Sequence, residues 1–162
     1  MIPPNSTQSN SLNARKALEP PQRVYGRAVT GSQGKNEVAH EVLKGRSVLL
    51  IEDSWLIAQG YKSLLEMSGM EVIGPAATVV DAEALLLTAL PDLALVDINL
   101  QDSVSYELID TMVERGIPVV IISGNEVRPE VADKVDCVLT KPIGGSALMA
   151  ALRRVAAARR FS

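Results

Sequence analysis

The chain has 162 residues, 47% of them hydrophobic and only 3% aromatic, which suits one globular domain with an aliphatic core. Its single cysteine, Cys137, excludes an internal disulfide and any metal site built from several cysteines. The net charge is −3, and residues 45–162, with ten basic and sixteen acidic side chains, are too acidic for a nucleic-acid partner to be expected.

The first part of the chain, residues 1–44, is rich in Ser, Asn, Gln, Pro and Gly and lacks any sustained period. This composition predicts a flexible, disordered N-terminal extension. The N-terminus lacks the apolar segment of a signal peptide, and no stretch approaches the roughly 18 apolar residues of a membrane-spanning helix. We therefore expect a cytoplasmic location without membrane insertion, and we assign residues 45–162 to one folded domain.

From Arg46 onward, short apolar runs alternate with segments of helical period. Continuous apolar runs predict strands that are buried on both faces, and alternation with helices predicts a parallel sheet with right-handed crossovers. The predicted fold class is therefore α/β, with a doubly wound five-stranded sheet and helices on both faces. The predicted strands lie at 48–51, 71–73, 93–96, 119–122 and 137–139.

The intervening segments carry helix start and stop signals. Thr78 and Asp81 form a T-x-x-D capping pair, and Ser105 is the predicted N-cap of the third helix. Gly69 and Gly116 are natural stops for the first and third helices. The fourth connection, between the last two strands, contains a proline and has room only for a short helix.

Polar residues follow four of the five predicted strands. Glu52 and Asp53 follow the first, Asp97 the third, Ser123 the fourth and Lys141 the fifth. Because the carboxyl ends of parallel strands meet at one edge of a sheet, we expect these side chains to lie together.

These residue types point to metal and phosphoryl chemistry. Carboxylates that lie close together repel each other, and a bound hard divalent cation neutralises this repulsion. Oxygen donors without His or Cys suit Mg²⁺. Lys141 and Ser123 would then bind an anion, and a phosphoryl group on one carboxylate would use the whole set. Asp97, the central carboxylate, is the predicted nucleophile.

The segments IEDS, LVDINL, VIISG and LTKP, in this order and at these separations, resemble the receiver domain of bacterial two-component response regulators. The resemblance covers residues 46–158 and implies a flavodoxin-like sheet with strand order 2-1-3-4-5. It also implies a Mg²⁺ site formed by Glu52, Asp53, Asp97 and the backbone carbonyl of Asn99.

The same resemblance implies the remaining roles. Asp97 matches the phosphoacceptor, Ser123 the switch hydroxyl and Lys141 the lysine that contacts the phosphoryl group. The supporting positions are Pro142, Gly124 and Asn125. The resemblance also implies that the Lys141–Pro142 peptide bond is cis. The sequence departs from the family at Val138, where an aromatic switch residue is usual, and in its short fourth helix.

The implied function is that of a regulatory phosphoacceptor rather than an enzyme. A histidine kinase or a histidine phosphotransfer protein would donate the phosphoryl group in a Mg²⁺-dependent transfer. Since neither end of the chain resembles an output domain, we expect a stand-alone receiver. It would act by phosphorylation-dependent binding of an unidentified downstream protein, or as a phosphate sink or shuttle. A homodimer is left open.

Two alternatives from other classes share part of this pattern. A phosphohydrolase of the haloacid dehalogenase type also uses Asp, a hydroxyl, Lys and Mg²⁺. That family, however, places its nucleophile on the first strand and usually a second Asp where Asn99 stands here. A phosphorylation-independent scaffold fits Val138 and the short fourth connection. It predicts identical partner binding by the wild type and by Asp97→Asn.

Overall fold

The computed structural model describes residues 42–100, 103–104 and 106–159, with the side chains of 103–104 excepted. The strands of its main sheet are β1 (Ser47–Ile51), β2 (Glu71–Ala76), β3 (Leu93–Asp97), β4 (Val119–Ser123) and β5 (Cys137–Thr140). The helices are α1 (Trp55–Met67), α2 (Val79–Thr88), α3 (Tyr106–Glu114), α4 (Pro129–Ala132) and α5 (Gly145–Ala158).

The five strands form one parallel sheet in the order β2-β1-β3-β4-β5, which confirms the predicted fold class. Every residue of β3 and β4 is buried, as two-sided burial of central strands requires. After β3, Asn99–Leu100 and Ser103–Val104 pair as a short antiparallel ribbon. Helix α4 has only four residues, so the predicted short fourth helix is also confirmed.

Each face of the sheet carries its own apolar core, because successive side chains of a strand point to opposite faces. Leu49 and Val96 belong to the core covered by α2, α3 and α4. Leu50 and Leu95 belong to the core covered by α1 and α5. The sheet is thus held between two helical layers, and its strand ends open onto loops.

The second strand is longer than the sequence analysis predicted. It continues through Gly74 and Pro75, two residues that normally interrupt strands. Pro75 is tolerated because β2 is an edge strand. Gly74 has φ +99°, and a Cβ there would lie 2.8 Å from the carbonyl oxygen of Leu50. Only glycine therefore fits this close approach to β1.

The predicted helix signals are largely found in place. Thr78 Oγ1 accepts a hydrogen bond from the backbone N–H of Asp81 at 3.1 Å and donates to Asp81 Oδ2 at 2.7 Å. Gly69 and Gly116 follow their helices with φ +84° and +75°. The predicted N-cap Ser105 lies outside the described residues.

The folded core includes a residue that the sequence analysis assigned to the extension. Leu43 is fully buried beside Leu65 and Met70, and Gly45 N–H donates to Gly69 O at 2.8 Å. The apolar residues around Leu43 form only a short run beside a polar segment, so its burial could not be predicted from the local sequence. The rest of the predicted extension, residues 1–41, lies outside the described residues. Among the described helices, none is long and apolar enough to cross a membrane.

Candidate phosphoacceptor site

The carboxyl ends of the parallel strands bring the predicted polar residues to one edge of the sheet. Glu52 and Asp53 follow β1, Asp97 is the last residue of β3, and Ser123 is the last residue of β4. Lys141 follows β5, and its backbone N–H donates to Ser123 O at 2.7 Å. The topology alone is sufficient to gather residues that are up to 89 positions apart.

Three carboxylates form the acidic part of the site. Glu52, Asp53 and Asp97 each offer an oxygen, and these oxygens lie within 4.8 Å of one another. Glu52 and Asp97 are only 3% and 6% exposed, whereas Asp53 is half-buried. A cluster of buried like charges requires positive charge nearby.

Lys141 supplies one positive charge. Its Nζ donates to Asp97 Oδ2 at 2.6 Å and to Glu52 Oε2 at 3.2 Å. The Lys141–Pro142 peptide bond is cis, as the family resemblance implied. The ammonium group therefore bridges the acid that follows β1 and the acid that ends β3.

Burial and neighbouring charges shift the pKa values of Glu52 and Lys141. Burial raises the pKa of Glu52, and the charge of Asp97 adds to the shift. The Ser54 N–H that donates to Glu52 and the charge of Lys141 oppose it without cancelling it. Burial lowers the pKa of Lys141, but the hydrogen bond and charge of Asp97, together with Glu52, outweigh burial and raise it. Lys141 is therefore a cation at neutral pH, and Glu52 is a weaker acid than an exposed glutamate.

The hydroxyl of Ser123 is held by the loop that follows β4. Its Oγ donates to Asn125 O at 2.8 Å and accepts from Asn125 N–H at 3.1 Å. Asn99 connects this hydroxyl to the acid, because its Nδ2 lies 3.4 Å from Ser123 Oγ and its N–H donates to Asp97 Oδ1 at 3.0 Å. Gly124 lies between the two bonded residues. The supporting positions Gly124, Asn125 and Pro142 thus adjoin the predicted site residues.

A groove beside the site was not predicted from the sequence. Tyr61 lies in it near Lys141, and burial raises the pKa of its hydroxyl. Nothing in the local sequence around Tyr61 marks a groove. Two neighbouring apolar residues at the start of α1, Trp55 and Leu56, are 72% and 75% exposed. The groove, of about 660 Å³, is lined by Ile57, Gly60, Tyr61, Leu64, Lys141, Pro142, Ile143 and Gly145.

A sequence model described as the response regulator receiver domain matches residues 48–153. The match covers well over half of the chain, so this chain belongs to the response regulator receiver domain family. No curated protein matches it in sequence at a significant level. Membership in this family gives no support to the phosphohydrolase alternative.

Solved structures of receiver domains have the same fold. The CheY-like receiver domain from Methylobacillus flagellatus is 26% identical, with a TM-score of 0.62 over 69% of this chain and 99% of that one. The receiver domain of the response regulator PhyR from Erythrobacter litoralis is 25% identical, with a TM-score of 0.66 over 74% and 95%.

A longer relative is matched over part of its length. A variant of PhyR from Bartonella quintana, described as an anti-anti-sigma factor, is 25% identical with a TM-score of 0.62. The match covers 76% of this chain but 53% of that one. This chain therefore spans about half of that protein.

Proposed function

We propose that this chain accepts a phosphoryl group on Asp97 from a phosphohistidine of a histidine kinase or a histidine phosphotransfer protein. One observation carries the proposal: the buried carboxylate of Asp97 lies 2.6 Å from the Lys141 ammonium and within 4.8 Å of carboxylate oxygens of Glu52 and Asp53. An acceptor of this kind needs a nucleophilic oxygen, a fixed cation and a place for a metal ion.

The acidic cluster fits Mg²⁺ as a cofactor. Its donors are hard carboxylate oxygens at mutual distances that one ion can span. Burial raises the pKa of Glu52, and a bound cation would favour the charged form of this carboxyl group. Glu52, Asp53 and Asp97 would hold the ion, together with the backbone carbonyl of Asn99. When bound, Mg²⁺ supplies positive charge that neutralises the carboxylates and the phosphoryl oxygens.

The transfer makes one bond and breaks one. A carboxylate oxygen of Asp97 attacks phosphorus, the phosphorus–nitrogen bond of the phosphohistidine breaks, and the imidazole nitrogen keeps the electron pair. Lys141 moves its hydrogen bond from Asp97 to a phosphoryl oxygen, and the Ser123 hydroxyl donates to another. Attack of water on phosphorus then breaks the phosphorus–oxygen bond to Asp97 and releases inorganic phosphate, so the two steps together hydrolyse the phosphohistidine of the donor.

The signal passed to a downstream protein depends on the hydrogen bond that Ser123 loses on phosphorylation. Its hydroxyl donates to Asn125 O in the structure, so donation to a phosphoryl group breaks that bond and releases the loop after β4. At position 138, Val138 offers no ring to rotate. The loop is therefore the moving part that a downstream protein reads, and partner affinity changes with phosphorylation.

The decisive experiment is intact-mass measurement after incubation with Mg²⁺ and acetyl phosphate or phosphoramidate. Wild type should gain one phosphoryl group, Asp97→Asn none, and wild type in EDTA none. Ser123→Ala should still be modified, because the Ser123 hydroxyl donates a hydrogen bond to the phosphoryl group and is not the residue that becomes phosphorylated. If neither small donors nor a phosphorylated histidine phosphotransfer protein modifies the folded wild type, the proposal is wrong and the scaffold alternative gains support.

Magnesium binding can be measured without the transfer. Trp55 is the sole tryptophan and begins α1 two residues after Asp53. We expect a saturable change of its fluorescence on titration with Mg²⁺, and no such change in Asp53→Asn. A wild-type protein that is unresponsive by fluorescence and by calorimetry would contradict the assigned cofactor.

A further inference from the structure

Two segments leave the phosphoacceptor edge of the sheet and come together again outside it. The segment that follows β3 starts at Asp97 and leads to Tyr106, the first residue of α3. The segment that follows β4 starts at Ser123 and leads to Arg128, the residue before α4. Where they meet, the Arg128 guanidinium lies over the Tyr106 ring, with Cζ 3.6 Å from the ring centroid. This contact is called the Arg128–Tyr106 stack below.

The Tyr106 ring is the anchored partner in the stack. It is half-buried and packs against the core that α2, α3 and α4 cover. The helix that it begins is fixed to the sheet by three buried side chains, Leu108, Ile109 and Met112. A helix held by buried contacts opens less readily than an exposed loop does.

The loop that carries Arg128 is less firmly held. Of its residues 124–128, Val127 is half-buried and the other four are exposed. At the start of the loop, Ser123 Oγ donates to Asn125 O at 2.8 Å and accepts from Asn125 N–H at 3.1 Å. The Ser123 hydroxyl thus holds the start of the loop, and the stack holds its end.

We propose that the Arg128–Tyr106 stack is a latch, which keeps the loop in its unphosphorylated position and opens when Asp97 is phosphorylated. The inference rests on the proposed function, in which the Ser123 hydroxyl leaves Asn125 O and donates to the phosphoryl group. The loss of that bond frees the start of the loop. Arg128 lies five residues after Ser123, so a shift of the loop carries it away from the anchored ring.

A small shift is enough to open the latch. The attraction between a cation and an aromatic face is significant only within about 6 Å of the ring centroid. Because the guanidinium carbon lies 3.6 Å from the centroid, a displacement of a few Å ends the contact. The stack and the phosphoryl group therefore favour opposite positions of the same loop.

A latch and a purely structural contact have different consequences for phosphoryl binding. A stack that persisted in both positions of the loop would stabilise both equally and leave the affinity for a phosphoryl group unchanged. A stack made only in the resting position lowers that affinity, because it must be broken on binding. For an exposed cation over a ring, the expected factor is about two- to fivefold.

Beryllofluoride, a non-covalent stand-in for the phosphoryl group, tests the latch in the full chain with saturating Mg²⁺. Calorimetry gives its dissociation constant. Tyr106→Leu and Arg128→Ala should each bind it about two- to fivefold more tightly than wild type. The double variant should gain no more than either single variant, because each substitution removes the same contact. Unchanged affinity in these variants, with folding established by circular dichroism, overturns the proposal.

Two conservative variants are the matched controls. Tyr106→Phe keeps the aromatic face, and Glu130→Gln neutralises the carboxylate that lies 3.8 Å from Arg128 without touching the ring. Both should bind beryllofluoride as wild type does. A gain in Tyr106→Phe as large as that in Tyr106→Leu would show that the ring is not what holds the loop, and the latch would be wrong.

The route through Ser123 can be tested separately. In a Ser123→Ala background no hydroxyl connects the loop to the phosphoryl group, so Tyr106→Leu should no longer change the affinity. The same gain in that background would refute the coupling. A wild type that binds no beryllofluoride would count against the phosphoacceptor function itself. A wild type that binds it, with Tyr106→Leu and Arg128→Ala no tighter, would count against the latch alone.

Discussion

The guanidinium of Arg128 lies over the ring of Tyr106, with Cζ 3.6 Å from the ring centroid. Arg128 precedes α4 and Tyr106 begins α3, so the contact joins the loop after β4 to the element that follows β3. These are the two connections that leave the site from Asp97 and Ser123. A cation over an aromatic face at an exposed position contributes about 0.5–1 kcal/mol, which is enough to bias a loop.

The first prediction concerns this contact. Tyr106→Leu and Arg128→Ala should each destabilise the domain, and the double-mutant cycle should give a coupling energy of about 0.5–1 kcal/mol. Urea denaturation of the four proteins measures it. Arg128 also lies 3.8 Å from Glu130, so Glu130→Gln is the control that separates the ion pair from the ring contact. A coupling energy near zero would show that the stacking does not hold the loop.

The second prediction concerns the buried acid Glu52. Burial raises its pKa above the unfolded value of 4.5, so the folded protein binds this proton more tightly than the unfolded chain does. The stabilisation is complete below pH 4.5 and is lost as the pH rises through the folded-state pKa. Glu52→Gln should therefore be more stable than wild type at pH 7 in EDTA, by on the order of 1 kcal/mol, and this advantage should vanish in acid.

The control for that prediction is Glu66→Gln. Glu66 pairs with Lys62 on the surface of α1, with 52% of its side chain exposed, so its neutralisation should change stability little. Thermal unfolding of all three proteins from acid to neutral pH provides the comparison. Mg²⁺ should stabilise wild type more than Glu52→Gln. The reverse order would contradict the assignment of Glu52 as a metal ligand.

The third prediction concerns Lys141. Lys141→Met keeps a long side chain but removes the cation between two buried carboxylates, so the free energy of unfolding in EDTA should fall by about 2–3 kcal/mol. Added Mg²⁺ should recover part of the loss, because the ion replaces some of the missing positive charge. Lys134→Met is the matched control. Its partner Asp110 is 2.8 Å away but both groups are about half exposed, so less than about 1 kcal/mol should be lost.

The fourth prediction concerns the start of the folded domain. Leu43 is fully buried, so Leu43→Ala should lower the free energy of unfolding by about 2–4 kcal/mol. Leu90→Ala, at a position 70% exposed, should have little effect on the monomer. Urea denaturation at low protein concentration separates the two. Equal, small losses would place the domain start after Leu43.

The sequence by itself was sufficient to predict the strands of the sheet and the residues that gather at the candidate site. Strands such as β3 and β4 must be buried on both faces, so their continuous apolar runs are visible without any tertiary knowledge. Once these runs are read as parallel strands, the residue after each one falls at the same edge. The position of Lys141 beside Asp97 therefore follows from connectivity. The short α4 was predictable because the chain between β4 and β5 has no room for more.

Only the tertiary structure decided what depends on contacts between distant segments. Leu43 gains its burial in the apolar core that α1 and α5 cover, and β2 passes Gly74 and Pro75 because it lies at an edge. The contact of Arg128 with Tyr106 and the exposure of Leu87 likewise depend on how the layers pack. Local patterns report which residues prefer to leave water, whereas packing decides which neighbours they meet and which of them remain exposed.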